Sequence, residues 1–210
     1  MRRRDGGARN GRMNFVEGRM QLFRHLMSAV PLPIHILDVG GTVNFWEGQL
    51  LLGWELTIIN IVDQQPLQGE IVLVGNGCDL PFDDYQYDVV FSNSVLAQVT
   101  TQQADMAQEI RRVAKRYFVQ TPNQGFPLDW RTRVLFFHWL PAKWQARAFQ
   151  TLSVGRYPRV NAADAQVLAT RIRDVNKDEL QALFPDGTVI LEKVLGLTKS
   201  FIVHRGFERD

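Results

Sequence analysis

The sequence predicts an α/β fold, a doubly wound parallel sheet closed by an antiparallel hairpin, and three observations carry that prediction. The first is Ile34-His35-Ile36-Leu37-Asp38-Val39-Gly40-Gly41, an apolar run that ends in an acid and two glycines. Such a run suits a strand covered on both faces, and the glycines let the backbone turn sharply into the next element. The second is a succession of further short apolar runs at 56–61, 71–74, 87–93 and 117–120, with turn or helical signals between them. That spacing implies parallel pairing. The third is a pair of strand-like runs, 189–194 and 199–203, around Leu195-Gly196-Leu197-Thr198. Five parallel strands and this hairpin make a seven-stranded sheet.

Taken in order, residues 1–12 set Arg2, Arg3, Arg4, Arg9 and Arg12 against one acid, Asp5, among glycines, and read as a disordered basic start. Residues 13–210 then read as one domain. Val16, Met20, Phe23, Met27 and Val30 fall on one face of a helix that packs on it. Pro33 bars a helix from the first strand, and 44–52 is a short helix closed by Gly53. Gly75-Asn76-Gly77 is the exit turn of the third strand, and Asp83-Asp84 lie in a polar turn. A helix at 102–114 places Met106, Ile110 and Val113 on one face, with Arg111, Arg112 and Lys115 near its C-terminal end, where cations are favoured. Thr121-Pro122-Asn123 stops the fifth strand. Residues from about 125 to 160 are rich in aromatics interleaved with basic residues, and read as a helical lid over the strand ends. Asn176 caps a short helix running to Phe184, and Pro185-Asp186-Gly187 turns the chain into the hairpin.

The composition narrows the class. A chain of 210 residues with 45% apolar and 22% charged residues suits one ordinary globular domain. No apolar run approaches the roughly 18 residues of a transmembrane helix, and the N-terminal pattern is not that of a signal peptide, so a cytoplasmic protein is expected. Cys78 is the only cysteine, and His25, His35, His138 and His204 are scattered at no ligand-like spacing, which argues against a metal centre.

The order Asp38-Val39-Gly40-Gly41, a second strand ending at Asn60-Ile61, Asn76-Gly77-Cys78-Asp79-Leu80-Pro81-Phe82, then Tyr87-Asp88-Val89-Val90-Phe91-Ser92-Asn93 resembles the class I S-adenosylmethionine-dependent methyltransferases. Within them it is most similar to the branch, called methyltransferase type 11, that has an Asp-Leu-Pro-Phe turn before its fourth strand. The resemblance implies a Rossmann-like sheet and S-adenosylmethionine as cofactor. It implies that Asp38, Gly40, Gly41 and Thr42 face the methionine part, Asn60 the ribose, and Asn76, Gly77, Cys78 and Asp79 the adenine edge, with Ser92 and Asn93 beside the transferred methyl. Thr42 and Asn44 stand where that family has its second and third loop glycines.

The resemblance implies an enzyme that methylates a small molecule or glycan, on oxygen. No catalytic residue is assigned; His138, in the lid, is the one candidate base, weighed against a structural place in an aromatic cluster. Two alternatives remain open at this point: a degenerate partner subunit of the same fold without catalysis, and an RNA methyltransferase using the basic lid. A nucleic-acid acceptor is disfavoured because no RNA-binding module is visible. A short-chain dehydrogenase is excluded, since none of Tyr85, Tyr87, Tyr117 or Tyr157 has a Lys four residues later.

Overall fold

The computed structural model describes residues 6–208, with side chains from Phe15 onward. Its frame is one seven-stranded sheet. Strands β1 (Ile34–Val39), β2 (Trp54–Asn60), β3 (Ile71–Val74), β4 (Tyr87–Asn93) and β5 (Ala114–Pro122) are parallel; β6 (Thr188–Val194) and β7 (Leu197–Arg205) form the hairpin. The spatial order is β3-β2-β1-β4-β5-β7-β6, so β7 lies antiparallel between β5 and β6. The order reverses between β1 and β4, and the crevice at the carboxyl ends of those strands is where open α/β sheets take their ligands.

Each face of the sheet has its own apolar core. On one, Met20, Phe23 and Met27 of helix α1 (Gly6–Met27) pack on Ile36, Ile58, Phe91 and Phe118. The rings of Phe91 and Phe118 stack with centroids 5.5 Å apart, and Phe23 meets both edge-on. On the other, Met106, Ile110 and Val113 of α3 (Gln103–Val113) and Leu180 of α6 (Lys177–Leu183) cover Leu37, Val90 and Val119. Fully burying one such side chain stabilises the fold by roughly 1.5–3 kcal/mol, so these faces fix which side of each strand points where.

Several element boundaries differ from the sequence expectation. Helix α1 begins at Gly6, so Arg9 and Arg12 lie on it rather than in a disordered start; extending a nucleated helix is cheap. Met1–Asp5 of that expected segment lie outside the described residues. Helix α2 spans only Val43–Trp46, because Gly48 takes a left-handed φ of +68° soon afterwards. Strand β5 is longer than its apolar run, since β4 and β7 pair with it on both edges. The lid is only partly helical and runs past residue 160. A 3-10 turn (Phe137–Trp139), α4 (Ala142–Thr151) and α5 (Ala162–Thr170) surround a small cluster centred on Phe149, and an isolated bridge from Asn123 to Val175 closes the segment.

The link from β2 to β3 has no helix. Parallel crossovers are usually helical, and here ten loop residues leave Ile71 and Val74 on the outermost strand about 60% exposed. Among the described residues no helix is long and apolar enough to cross a membrane.

Candidate active site

The glycine turn sits at the carboxyl end of β1. Gly40 has φ +78°, and a Cβ there would overlap Val95, which packs against the turn from the β4 side. A Cβ on Gly41 would collide with the Asp38 carboxylate directly beneath it. Both positions therefore need glycine, one for conformation and both for space. Asp38 itself faces inward: it is 1% exposed, its Oδ2 accepts the Trp46 Nε1–H at 2.6 Å, and its Oδ1 is buried without a partner. Burial raises its pKa to about 7, only partly opposed by the Trp46 hydrogen bond. Asp38 supports the loop from below, with its carboxylate turned to the core.

The second and third strand ends add amides. Asn60 donates through Nδ2 to the carbonyls of Gly40 and Gly41, and its Oδ1 accepts from Val62 N–H. Gln64, which the sequence reading passed over, bridges the same loop: Nε2 donates to Gly41 O and Oε1 accepts the Val43 N–H. Thr42 is exposed and extended and makes no capping bond. At the β3 exit the Asn76 Oδ1 accepts the Cys78 N–H, and Asp79 N–H bonds Asn76 O. Cys78 is thus committed to the turn by its backbone, while its thiol is buried and shifted up, first by desolvation and then by Asp105. The Asn76 Nδ2 and the Gly77 N–H have no partner among the described residues. The exposed side chain of Asp79 has none either.

Helix α3 fixes the following Leu80-Pro81-Phe82 turn. Glu109 Oε2 accepts the Leu80 N–H, and Arg112 donates to the carbonyls of Leu80 and Phe82 and to Asp84. Arg112 also pairs with Glu109 at 2.7 Å, and that hydrogen bond holds the Glu109 carboxyl below its ordinary value. The two adjacent acids are turn residues as expected, and their anchor is a cation about thirty residues later in the chain.

Ser92 and Asn93 end β4 with different fates. Ser92 is fully buried and donates to Val39 O, tying β4 to β1. Asn93 lines a cavity of about 200 Å³ between α1, the ends of β4 and β5, and the lid. Arg19 of α1 reaches over this cavity. Its Nε donates to both oxygens of Glu192 at 2.7 and 2.9 Å, and its Nη1 donates to Asn93 Oδ1 at 3.1 Å. Ser94, with φ +65°, donates its hydroxyl to Gln120 Oε1 at 2.7 Å. On the lid side, Asp174 accepts from Arg131 at 2.8 Å and from Trp130 Nε1 at 3.4 Å through the same oxygen, Oδ1.

His138 lines this cavity too, 5% exposed, with Nε2 2.9 Å from Gln124 O. The carbonyl requires the proton on Nε2, and Nδ1 faces Asp129 Oδ2 at 3.9 Å. Arg19, Gln120 and Asp174 were not singled out from the sequence. A polar residue closing the apolar run of β5 was the available signal for Gln120.

The strand ends so described fit an adenosyl cofactor on its nucleoside side. Asn76 Nδ2 and Gly77 N–H are unengaged where the resemblance puts the adenine, and Asn60 keeps a lone pair on Oδ1 able to accept a hydroxyl.

A family model described as a methyltransferase domain matches residues 49–117. No curated protein matches. Among solved structures, the chain is similar to a SAM-dependent methyltransferase from Aquifex aeolicus (12% identity, 89% of this chain and 87% of that one, TM-score 0.51). It is similar to a protein from Pyrococcus horikoshii (15% identity, 95% and 91%, TM-score 0.56) and to a SAM-dependent methyltransferase from Methanosarcina mazei (14% identity, 85% and 94%, TM-score 0.53). At these identities the likeness is one of fold. Residues 49–117 thus match a methyltransferase domain, and the seven-stranded sheet with its C-terminal hairpin has the Rossmann-like fold of the SAM-dependent methyltransferases to which the chain is similar.

Proposed function

We propose that this domain methylates an oxygen atom of a small molecule or of a terminal glycan unit. The observation that carries the reading is the cavity at Asn93. At about 200 Å³ it falls below the roughly 300–1,000 Å³ of ordinary ligand pockets. It suits a small acceptor, or one ring of a larger one. When bound, the cofactor supplies a methyl group on a sulfonium. The chain's own part is to place the acceptor, since alignment can remove as much as roughly 7–11 kcal/mol of barrier. We read His138 as a wall residue, because its Nε2 is committed to Gln124 O. In this reading Gly40, Gly41 and Thr42 border the methionine part, Asn60 the ribose, Asn76 and Gly77 the adenine, and Asn93 the reacting end.

One observation favours the degenerate-subunit alternative: Asn60 and Gln64 already satisfy the loop carbonyls and the first N–H of α2. The RNA alternative draws less support. Of the lid cations, Arg131 is buried on Asp174, Arg173 pairs with Glu179, and Arg156 bonds lid carbonyls. Calorimetric titration with S-adenosylhomocysteine decides between enzyme and subunit. The expected result is micromolar binding, weakened about tenfold by Asn76→Ala, the worth of one hydrogen bond. Labelled methyl groups should then appear on hydroxyl-bearing small molecules. Absence of binding at millimolar ligand selects the subunit reading.

A further inference from the structure

The cavity presents three polar groups whose roles are fixed from behind. Asn93 Oδ1 is held by Arg19, so the amide turns its Nδ2 away from the guanidinium. Gln120 Oε1 is held by the Ser94 hydroxyl, leaving Nε2 as its free end. Asp174 Oδ1 is held by Arg131 and Trp130, leaving Oδ2. None of Asn93 Nδ2, Gln120 Nε2 and Asp174 Oδ2 has a hydrogen-bond partner among the described residues, and all three residues line the cavity. Gln120 is 1% and Asp174 3% exposed, so bulk water does not compete freely for them.

Amides usually leave open which end faces a ligand. The Arg19 contact settles it for Asn93, because a guanidinium only donates; at Gln120 the Ser94 hydroxyl is placed to donate to Oε1. The strand side of the cavity therefore offers N–H donors from two amides, and the lid side a carboxylate oxygen. Phe15, Phe126 and Trp130 supply flat apolar surface between them. The charges behind the three groups are paired, Arg19 with Glu192 and Asp174 with Arg131.

We propose that this cavity recognises a planar compound carrying a hydroxyl beside a second oxygen, an ortho-diol or hydroxy-carbonyl unit. The hydroxyl donates to Asp174 Oδ2, and the neighbouring oxygen accepts from Asn93 Nδ2 and Gln120 Nε2. A compound with both oxygens blocked offers Asp174 no donor. A buried acceptor left unpaired then costs more than the lost bond itself. The inference deepens the small-molecule reading given above and rests on it for the fate of the bound compound, although the recognition itself needs no cofactor.

The test uses catechol and its dimethyl ether, veratrole, as probes on the full chain without cofactor, with binding measured by calorimetry and by saturation-transfer NMR. Catechol is expected to bind at least about tenfold more tightly than veratrole. Gln120→Met, close in volume, removes a donor to the ligand's accepting oxygen and should weaken catechol about tenfold; thermal unfolding confirms that the variant is folded. Asn93→Leu provides the same comparison from the second amide should Gln120→Met not fold. Equal binding of the two probes, no catechol binding at millimolar concentration, or an unchanged catechol affinity in the folded variants overturns the proposal. A parallel S-adenosylhomocysteine titration separates the two levels. If it binds while the probes are not discriminated, this inference alone fails; discrimination of the probes without cofactor binding leaves the recognition standing and removes the methyl transfer.

Discussion

Strand β1 buries Ile36, Leu37, Asp38 and Val39 in succession, four residues of which three are hydrocarbon, whereas the lid buries Asp129, Arg131, Thr132 and His138 within ten residues. The sheet is held by two broad apolar clusters, and the lid by a small one around Phe149. What the lid lacks in apolar area it replaces with directional bonds. Asp129 Oδ1 accepts from Arg131 N–H, Thr132 N–H and the Thr132 hydroxyl, and Arg131 ties Asp174 to the Ala97 carbonyl. Non-directional packing tolerates changes of shape if volume is kept. A buried ion pair tolerates the loss of neither partner.

The contrast breaks most sharply at Arg131. Arg131→Met strands Asp174 in a buried position and is expected to cost about 3–5 kcal/mol, read as a lower urea midpoint. Leu37→Met in the sheet core, which keeps side-chain volume, should cost less than about 1.5 kcal/mol. If the two lie within experimental error of each other, regional difference in stabilisation is wrong.

Asp38 is the exception within the sheet, and it sharpens the comparison through pH. Its folded pKa of about 7 lies above the ordinary 3.8, so the folded state binds the proton more tightly than the unfolded chain. That stabilisation is complete below the unfolded value, declines as pH rises from about 4, and is gone above about 7. At roughly 1.4 kcal/mol per unit the effect is of order a few kcal/mol. Unfolding temperature should fall across this window in the wild type, and Asp38→Asn should flatten that slope while keeping the Trp46 bond. An unchanged slope would show that another group titrates there. The smallest effect is expected at the lid's exit. There the Asn176 side chain accepts the Glu179 N–H and Glu179 bonds back to the Asn176 N–H; Asn176→Ala should cost about 1 kcal/mol in denaturant unfolding.

The same contrast explains what was legible. Strand runs, the glycine turn, the Asn76 turn, the capped helix and the hairpin are local patterns, written in neighbouring residues, and the sheet order follows from them. The lid's supports are not local. Asp174 meets Arg131 across 43 positions, and Arg19 meets Glu192 across 173. No window of sequence contains both partners of either pair. Asp38 was legible as a strand-end acid, but its inward direction depends on Trp46, which the expected longer helix placed less sharply. Arg19 left one trace, a charge three residues from Val16 and four before Phe23 on the apolar stripe of α1.

Arg19 also carries a consequence for how the chain is made. It is synthesised early, and the carboxylate that neutralises it emerges 173 residues later on β6. Until then α1 can cover the sheet with Phe23 and Met27, but its guanidinium lacks the carboxylate that pairs with it in the complete fold. Glu192 and Ser200, which hold the guanidinium, sit on β6 and β7, so this wall of the cavity at Asn93 depends on the hairpin being in place.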